Sequence, residues 1–453
     1  MVRSEGLNLL GRSRSIAIAL LLSLAHGCRP PSDTAPAEYL RSGPMVGYAS
    51  TREALLWVQT NAPADVRFVY YDTAAPDHRY STASVRTSKD RAYAAKIIAD
   101  SVLPAHRYAY ELYINGRQAE RPYPLRFQIP SLHGSVTPSF SVAIGSCNYV
   151  NDPEFDGKSP PPGDYGIFQQ ILSLRPDLMI WLGDNLYFRE GDWDSRERTL
   201  HRYTHTRSLP QLQPLLGSVH HYAIWDDRDF GPSDSDGSWW NKETSLEAFR
   251  LFWGNPCFGL DGRPGTTCSF TWADVEFFML DNRYYRTPSD SEPGQRTIQG
   301  LDQLEWLIES LARSDATFKI VVSGGQVLNP FRGHETYATY PEEQAALLEA
   351  IEREHITGVL FLSGDRHRSE LSKLDRPSAY PLYDVTSSPL TAKLYDLDFE
   401  PNALRVEGTW LVDHNFAILS FEGLPDDRRL TVTAIDKEGD VRWTHTIRSS
   451  ELR

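Results

Sequence analysis

The chain has 453 residues, 40% of them hydrophobic and 23% charged, which is enough apolar material for two or three domains with buried cores. Its formal net charge of -14 at pH 7 excludes the lysine and arginine surplus that neutralising nucleic-acid phosphates requires. No nucleic-acid partner is expected, and an anionic small molecule would have to be attracted by cations placed locally.

The N-terminus carries Arg3, Arg12 and Arg14 ahead of an apolar run from Ile16 to Ala25. That run is too short to span a bilayer and fits the hydrophobic region of a secretory signal. Residues 1–28 are read as a signal peptide, so the protein is expected to be exported to a periplasm or cell surface. Leu24, Ala25 and Gly27 before Cys28 are similar to a bacterial lipoprotein cleavage site. Cys28 is therefore a candidate for lipidation and outer-membrane attachment, with ordinary cleavage near Ala25 or Gly27 as the alternative. Residues 29–44 begin RPPSDTAPAE and read as a flexible linker.

Between 45 and 133 the chain reads as short strands, among them EALLWVQT, DVRFVYYD and RYAYELYI, separated by Pro, Asn, Asp and Gly. Leu103 and Pro104 followed by Tyr108 suggest the corner tyrosine of a fibronectin- or immunoglobulin-like β-sandwich. Trp57 and Tyr110 are expected in its core. From 134 to 453 the pattern alternates. The strands SFSVAIGSC, DLMIWLGD, HHYAIWDD, VEFFMLD, FKIVVSGGQ and ITGVLFLSGD are interleaved with the helical segments YGIFQQILSL, ETSLEAFRLFW, GLDQLEWLIESLA and EEQAALLEAIERE. The alternation predicts a layered α/β domain, and the late strands NFAILSFEG, RLTVTAIDK and VRWTHTIR predict a second sheet. Cys257 and Cys268 flank a Gly/Pro-rich loop, so a disulfide stabilising by about 3 kcal/mol is expected there, leaving Cys147 unpaired in an oxidising compartment.

The central strands end on polar residues: Cys147, Asp184, Asp227, Asp281, Gln326 and Asp365. Sites in α/β sheets form beyond the carboxyl ends of strands, so these side chains are expected to converge. Asp184 and Tyr187 lie on one turn, Asp227 beside Arg228 on another, and Asp365, Arg366 and His367 on a third. Several carboxylates together would repel and raise one another's pKa values unless cations joined them. Thiolate, phenolate, imidazole and carboxylate donors suit a transition metal, with Fe3+ favoured; the remaining oxygen donors suit calcium or another divalent ion. Two such ions would support hydrolysis.

The segments IGSCN, LGDNLYF, WDDRDFGPSDSD, MLDNRYYR, SGGQVLNP, LSGDRH and YDVTSSPLT resemble, in order, the motifs of the PhoD-like alkaline phosphatases, a branch of the calcineurin-like metallophosphoesterases. The resemblance implies a four-layer domain with two central sheets flanked by helices, preceded by the β-sandwich. It also implies that Cys147, Asp184, Tyr187 and His367 bind iron, with Asp184 bridging to a calcium site that includes Asp227 and Asp365. The implied activity is attack of a metal-bound hydroxide on a phosphomonoester or phosphodiester, with Arg228 and Arg366, or Arg283, gripping phosphate oxygens. The family commonly has histidine where this chain has Arg228, and asparagine near Ser233 and Asp234. Arginine can clamp an anion but cannot release a proton in this range. Trp239, Trp240, Tyr284 and Tyr285 are candidates for walls of a substrate pocket. The expected ligand is a small phosphate ester or phospholipid head group, and the expected state a monomer. The alternatives are a phospholipase-type phosphodiesterase and a surface lipoprotein that binds ligands through its sandwich without catalysis. A serine hydrolase lacks its GxSxG motif.

Overall fold

The computed structural model describes residues 36–132, 137–156, 165–333, 335–395 and 400–453. The expected signal peptide, Cys28 and the first part of the linker lie outside them. Residues 36–44 are regular structure and not linker: a helical turn, Pro36–Tyr39, leads directly into the strand Leu40–Ala49. No helix among the described residues is long and apolar enough to cross a membrane.

A nine-stranded sheet forms one half of the core. Its centre is the parallel set Phe140–Gly145, Leu178–Leu182 and His220–Ile224, continued on one side by the antiparallel strands Asn415–Glu422, Arg429–Asp436 and Val441–Arg448. The central strands are buried on both faces, which is why they read as unbroken apolar runs. Alternate side chains still separate. Val142, Ile144, Leu178, Ile180, Tyr222 and Ile224 enter one core, while Ala143, Met179, Trp181, Ala223 and Trp225 enter another. This is the two-residue period of a strand, and each fully buried large aliphatic side chain contributes roughly 1.5–3 kcal/mol.

The second core lies between the long sheet and the helices Ile167–Ser173, Arg196–Arg207 and Lys242–Phe252. The first lies against a six-stranded sheet in the order Cys268–Trp272, Val275–Met279, Phe318–Val322, Val359–Ser363, Ala379–Thr386 and Glu370–Arg376. Tyr222 stacks on Phe270 and Phe318 meets Phe421 between the two sheets. Helices Leu301–Arg313 and Pro341–Arg353 accompany the shorter sheet through Leu304, Leu307, Leu347 and Ile351. The result is the expected α/β order of helices, sheet, sheet and helices.

The N-terminal strands depart from the expected arrangement. Asp65–Asp72 and Arg107–Ile114 do centre a small antiparallel sheet, and Tyr108 closes a corner by accepting a 2.8 Å hydrogen bond from the Leu103 amide. However, Leu40–Ala49, Ala54–Thr60 and Ala94–Ala99 extend the long sheet, through parallel pairing of Val46 with His220. Ala54–Thr60 is buried along its whole length and splits its side chains between the same two cores, Leu56 and Val58 to one, Leu55 and Trp57 to the other. A strand apolar on both faces behaves as a central strand, and Pro36–Arg453 is one compact unit. Cys257 and Cys268 form a disulfide, and Cys147 is free and buried.

Candidate metal centre

The turns that leave the central strands are threaded closely together. Cys147 N donates to Gly183 O (3.3 Å), Asn148 N to Asp184 O (2.8 Å), and Gly364 N to Gly324 O (2.8 Å). A Cβ on Gly364 would collide with Ser146 and the Leu182 carbonyl, so glycine permits this approach. Cys147, Asp184, Asp365 and His367 all adopt left-handed backbone conformations, with φ of 59°, 53°, 62° and 49°. Such conformations cost on the order of 1 kcal/mol each and recur where a turn must aim a functional side chain.

Those turns bring the sequence candidates together. Cys147 Sγ lies 3.6 Å from Asp184 Oδ2, and Tyr187 Oη lies 3.4 Å from His367 Nε2. His367 Nδ1 contacts the Lys393 carbonyl, which can only accept, so the ring proton sits there and Nε2 is left with its lone pair toward Tyr187. Ser388 Oγ accepts from His367 N (3.0 Å) and donates to Cys147 Sγ (3.1 Å), tying the two loops. One carboxylate oxygen from each of Asp184, Asp226 and Asp227 falls within 4.8 Å of the others, as happens also for Asp227, Asp234 and Glu335. Asp365 N donates to Ser146 Oγ (3.1 Å).

The electrostatics call for cations. Burial, with Asp365 nearby, pushes the Cys147 thiol up to about 12. Burial and the neighbouring Asp227 raise the Asp184 carboxyl well above its ordinary range, and burial likewise raises the Tyr187 phenol. Asp226 Oδ1 accepts from Arg283 and Asn282 at 2.6 Å, yet its Oδ2 is buried without a hydrogen-bond partner among the described residues. Soft, phenolic, imidazole and carboxylate donors, with a buried oxygen left unsatisfied, fit a site for metal ions.

Above these donors opens a cavity of about 400 Å³ lined by Asp184, Asp227, Asp365 and His367 together with Arg228 and Arg366. The Arg228 side chain is 35% exposed, lies 3.6 Å from Asp227 and passes over the Tyr187 ring. Arg366 is nearly buried between Asp365 and Glu400. A larger cavity of about 700 Å³ beside Gln59 and helix Arg196–Arg207 contains none of these groups.

Other expectations are corrected. Asp281 accepts from Trp225 Nε1 and from the amides of Thr266, Arg283 and Tyr284, a structural role away from the cavity. Gln326 is bonded within a buried network with Glu370 and Thr386. Arg283 is spent on Asp226 and Glu335 and does not line the cavity. Neither Trp239, Trp240, Tyr284 nor Tyr285 lines it; the aromatic that does is Tyr395. Glu335 and Tyr395 stand on connecting loops without periodicity, so only their nearness to SGGQVLNP and TSSPLT could have drawn attention to them.

Comparisons with known proteins agree with this architecture. The family model described as PhoD-like phosphatase matches residues 263–410, and a domain of unknown function, DUF7800, matches residues 37–131. Alkaline phosphatase D of Bacillus subtilis (strain 168) is 22% identical over 338 residues, covering 62% of this chain and 54% of that protein. The chain thus spans about half the length of the curated relative it matches. A solved structure of PhoD superposes with a TM-score of 0.76 at 15% identity, covering 93% of this chain and 92% of that one. The purple acid phosphatase PPD1 from yellow lupin (Lupinus luteus) seeds gives 0.64 at 12% identity over 90% and 74%. These likenesses show that the chain shares the fold of those two structures, and residues 263–410 are similar to the PhoD-like phosphatase family.

Proposed function

We propose that the chain is an exported, metal-dependent hydrolase of phosphoric esters. The observation that carries this reading is the meeting of Cys147, Asp184, Tyr187 and His367 from separate strand ends, with Asp227 and Asp365 beside them under an open cavity. In this reading Cys147, Asp184, Tyr187 and His367 hold iron, and Asp184, Asp227 and Asp365 hold calcium or another divalent ion. Such ions, when bound, supply Lewis acidity toward a phosphoryl oxygen and a hydroxide nucleophile at neutral pH.

The remaining work falls to the chain's own residues. Arg228, on the cavity wall and only loosely paired with Asp227, grips oxygens of the phosphoryl group and offsets charge that develops on them. Arg366 is fixed by Asp365 and Glu400, so it supplies a stationary positive field rather than a mobile clamp. Backbone amides orient the carboxylates: Arg228 N donates to Asp184 Oδ1 (3.1 Å) and Asp234 N to Asp227 Oδ2 (2.8 Å). The cavity volume suits a small monoester or diester, including a phospholipid head group. Export through the N-terminal segment, and lipid attachment at Cys28, belong to the same proposal. Hydrolysis of an aryl phosphate and a diaryl phosphodiester by protein loaded with iron and calcium tests it, beside Asp184→Asn. Turnover in the parent and its loss in the variant are expected. Full activity after complete metal removal contradicts the reading.

A further inference from the structure

The cavity lining is chemically mixed: it combines Arg228, Arg366, His367 and Tyr395 with Ser233 and the acidic residues Asp234 and Glu335. Glu335 is neutralised by Arg283 and Arg286, with contacts of 2.6 and 2.7 Å, whereas Asp234 has no ion-pair partner among the described residues. A phosphoryl group held at Arg228 therefore shares the cavity with the Asp234 carboxyl, which disfavours further negative charge on the ester and leaves the organic part to the uncharged lining.

That lining includes the aromatic ring of Tyr395. Tyr395 is 44% exposed, and its ring centroid lies 4.6 Å from that of His367. Two residues earlier, the Lys393 carbonyl is fastened to His367, which anchors the backbone at the cavity rim. The Lys393 ammonium lies 5.8 Å from the Tyr395 ring centroid. A large aromatic side chain held at the rim with much of its surface uncovered offers a platform for a second flat ring.

We propose that Tyr395 is a stacking subsite for the organic group of the ester, and that the preferred substrates are phosphoric esters of alcohols bearing a planar aromatic ring. The proposal rests on the hydrolase reading for its substrate but is tested by binding alone. Benzylphosphonate and cyclohexylmethylphosphonate differ in ring planarity, keep the same anionic head, and cannot be hydrolysed as esters. Calorimetry on the iron- and calcium-loaded protein should show the benzyl compound binding about tenfold tighter, the scale of one stacked ring. Tyr395→Leu should bring the ratio to within about twofold, and Tyr395→Phe should restore it. Equal affinities in the parent, no binding of either phosphonate, or a preference that survives Tyr395→Leu would each overturn the subsite. Discrimination between the phosphonates in a protein that hydrolyses no ester would instead refute the hydrolase reading and leave the subsite standing.

Discussion

Replacing Arg228 by alanine probes the anion clamp with little damage to the fold, because the guanidinium lies on a cavity wall and its side chain is 35% exposed. At about 4 Å and an effective dielectric constant of about 20, a unit cation and a phosphoryl charge attract by about 4 kcal/mol. Asp227, 3.6 Å away, already draws on that cation, and solvent reaches it, so about half is retained. A loss of about 2 kcal/mol in transition-state stabilisation corresponds to roughly a thirtyfold fall in kcat/KM. Steady-state hydrolysis of a diaryl phosphodiester provides the assay, with thermal unfolding as the control for folding. Arg228→Lys keeps the charge but not the fork, so it should fall between parent and alanine variant. An alanine variant within about threefold of the parent would refute the clamp.

Metal removal should make stability strongly pH-dependent. In the metal-free protein burial raises Asp226 to about 7 and Asp229 to about 8, while unfolded aspartates ionise near their ordinary range. Between pH 6.5 and 8 the folded state therefore holds protons that the unfolded state has lost, and stability falls as pH rises. Buried His220 and His221, both lowered, act below this window and in the opposite direction. The expected result is a lower Tm at pH 8 than at pH 6.5 after chelation, narrowed by reloading metal; an unchanged or higher Tm at pH 8 contradicts it. Tyr108→Phe removes the hydroxyl that accepts from Leu103 N at 2.8 Å, and denaturant titration should show a loss of about 1 kcal/mol. No measurable loss would mean that water replaces the corner bond. Activity stripped by chelation should return with iron and calcium together and not with calcium alone, because the buried thiol and phenol are poor partners for a hard cation. Full recovery with calcium alone would argue against the mixed-metal reading.

Much of the candidate metal centre was legible because buried strands end abruptly in chemistry-bearing residues. VLFLSGDRH loses its apolar character at the turn where Asp365 and His367 emerge, and the same change marks Cys147, Asp184 and Asp227. Asp281 and Gln326 follow the same pattern yet serve turns and buried networks, since a strand end specifies position but not the direction of the side chain. The pairing of the N-terminal strands was hidden for a different reason. Periodicity identifies Ala54–Thr60 as a strand, but the partner Leu40–Ala49 reaches Val46 pairing with His220 across a long stretch of sequence. Helix Arg196–Arg207 was missed because RERTLHRYTHTR has no apolar stripe; buried Arg202 pairs with Asp152 and Asp192 instead. Tyr395 and Glu335 belong to loops, where sequence pattern carries little information about what faces the cavity.

The most direct measurement is the visible absorption spectrum and elemental content of the purified protein beside Cys147→Ala. Iron with calcium and a broad charge-transfer band are expected in the parent, with iron, band and ester hydrolysis all diminished in the variant. A parent that takes up neither metal when supplied with both, or a variant that keeps the parent's iron content and spectrum, would contradict the metal centre assigned to Cys147, Asp184, Tyr187 and His367.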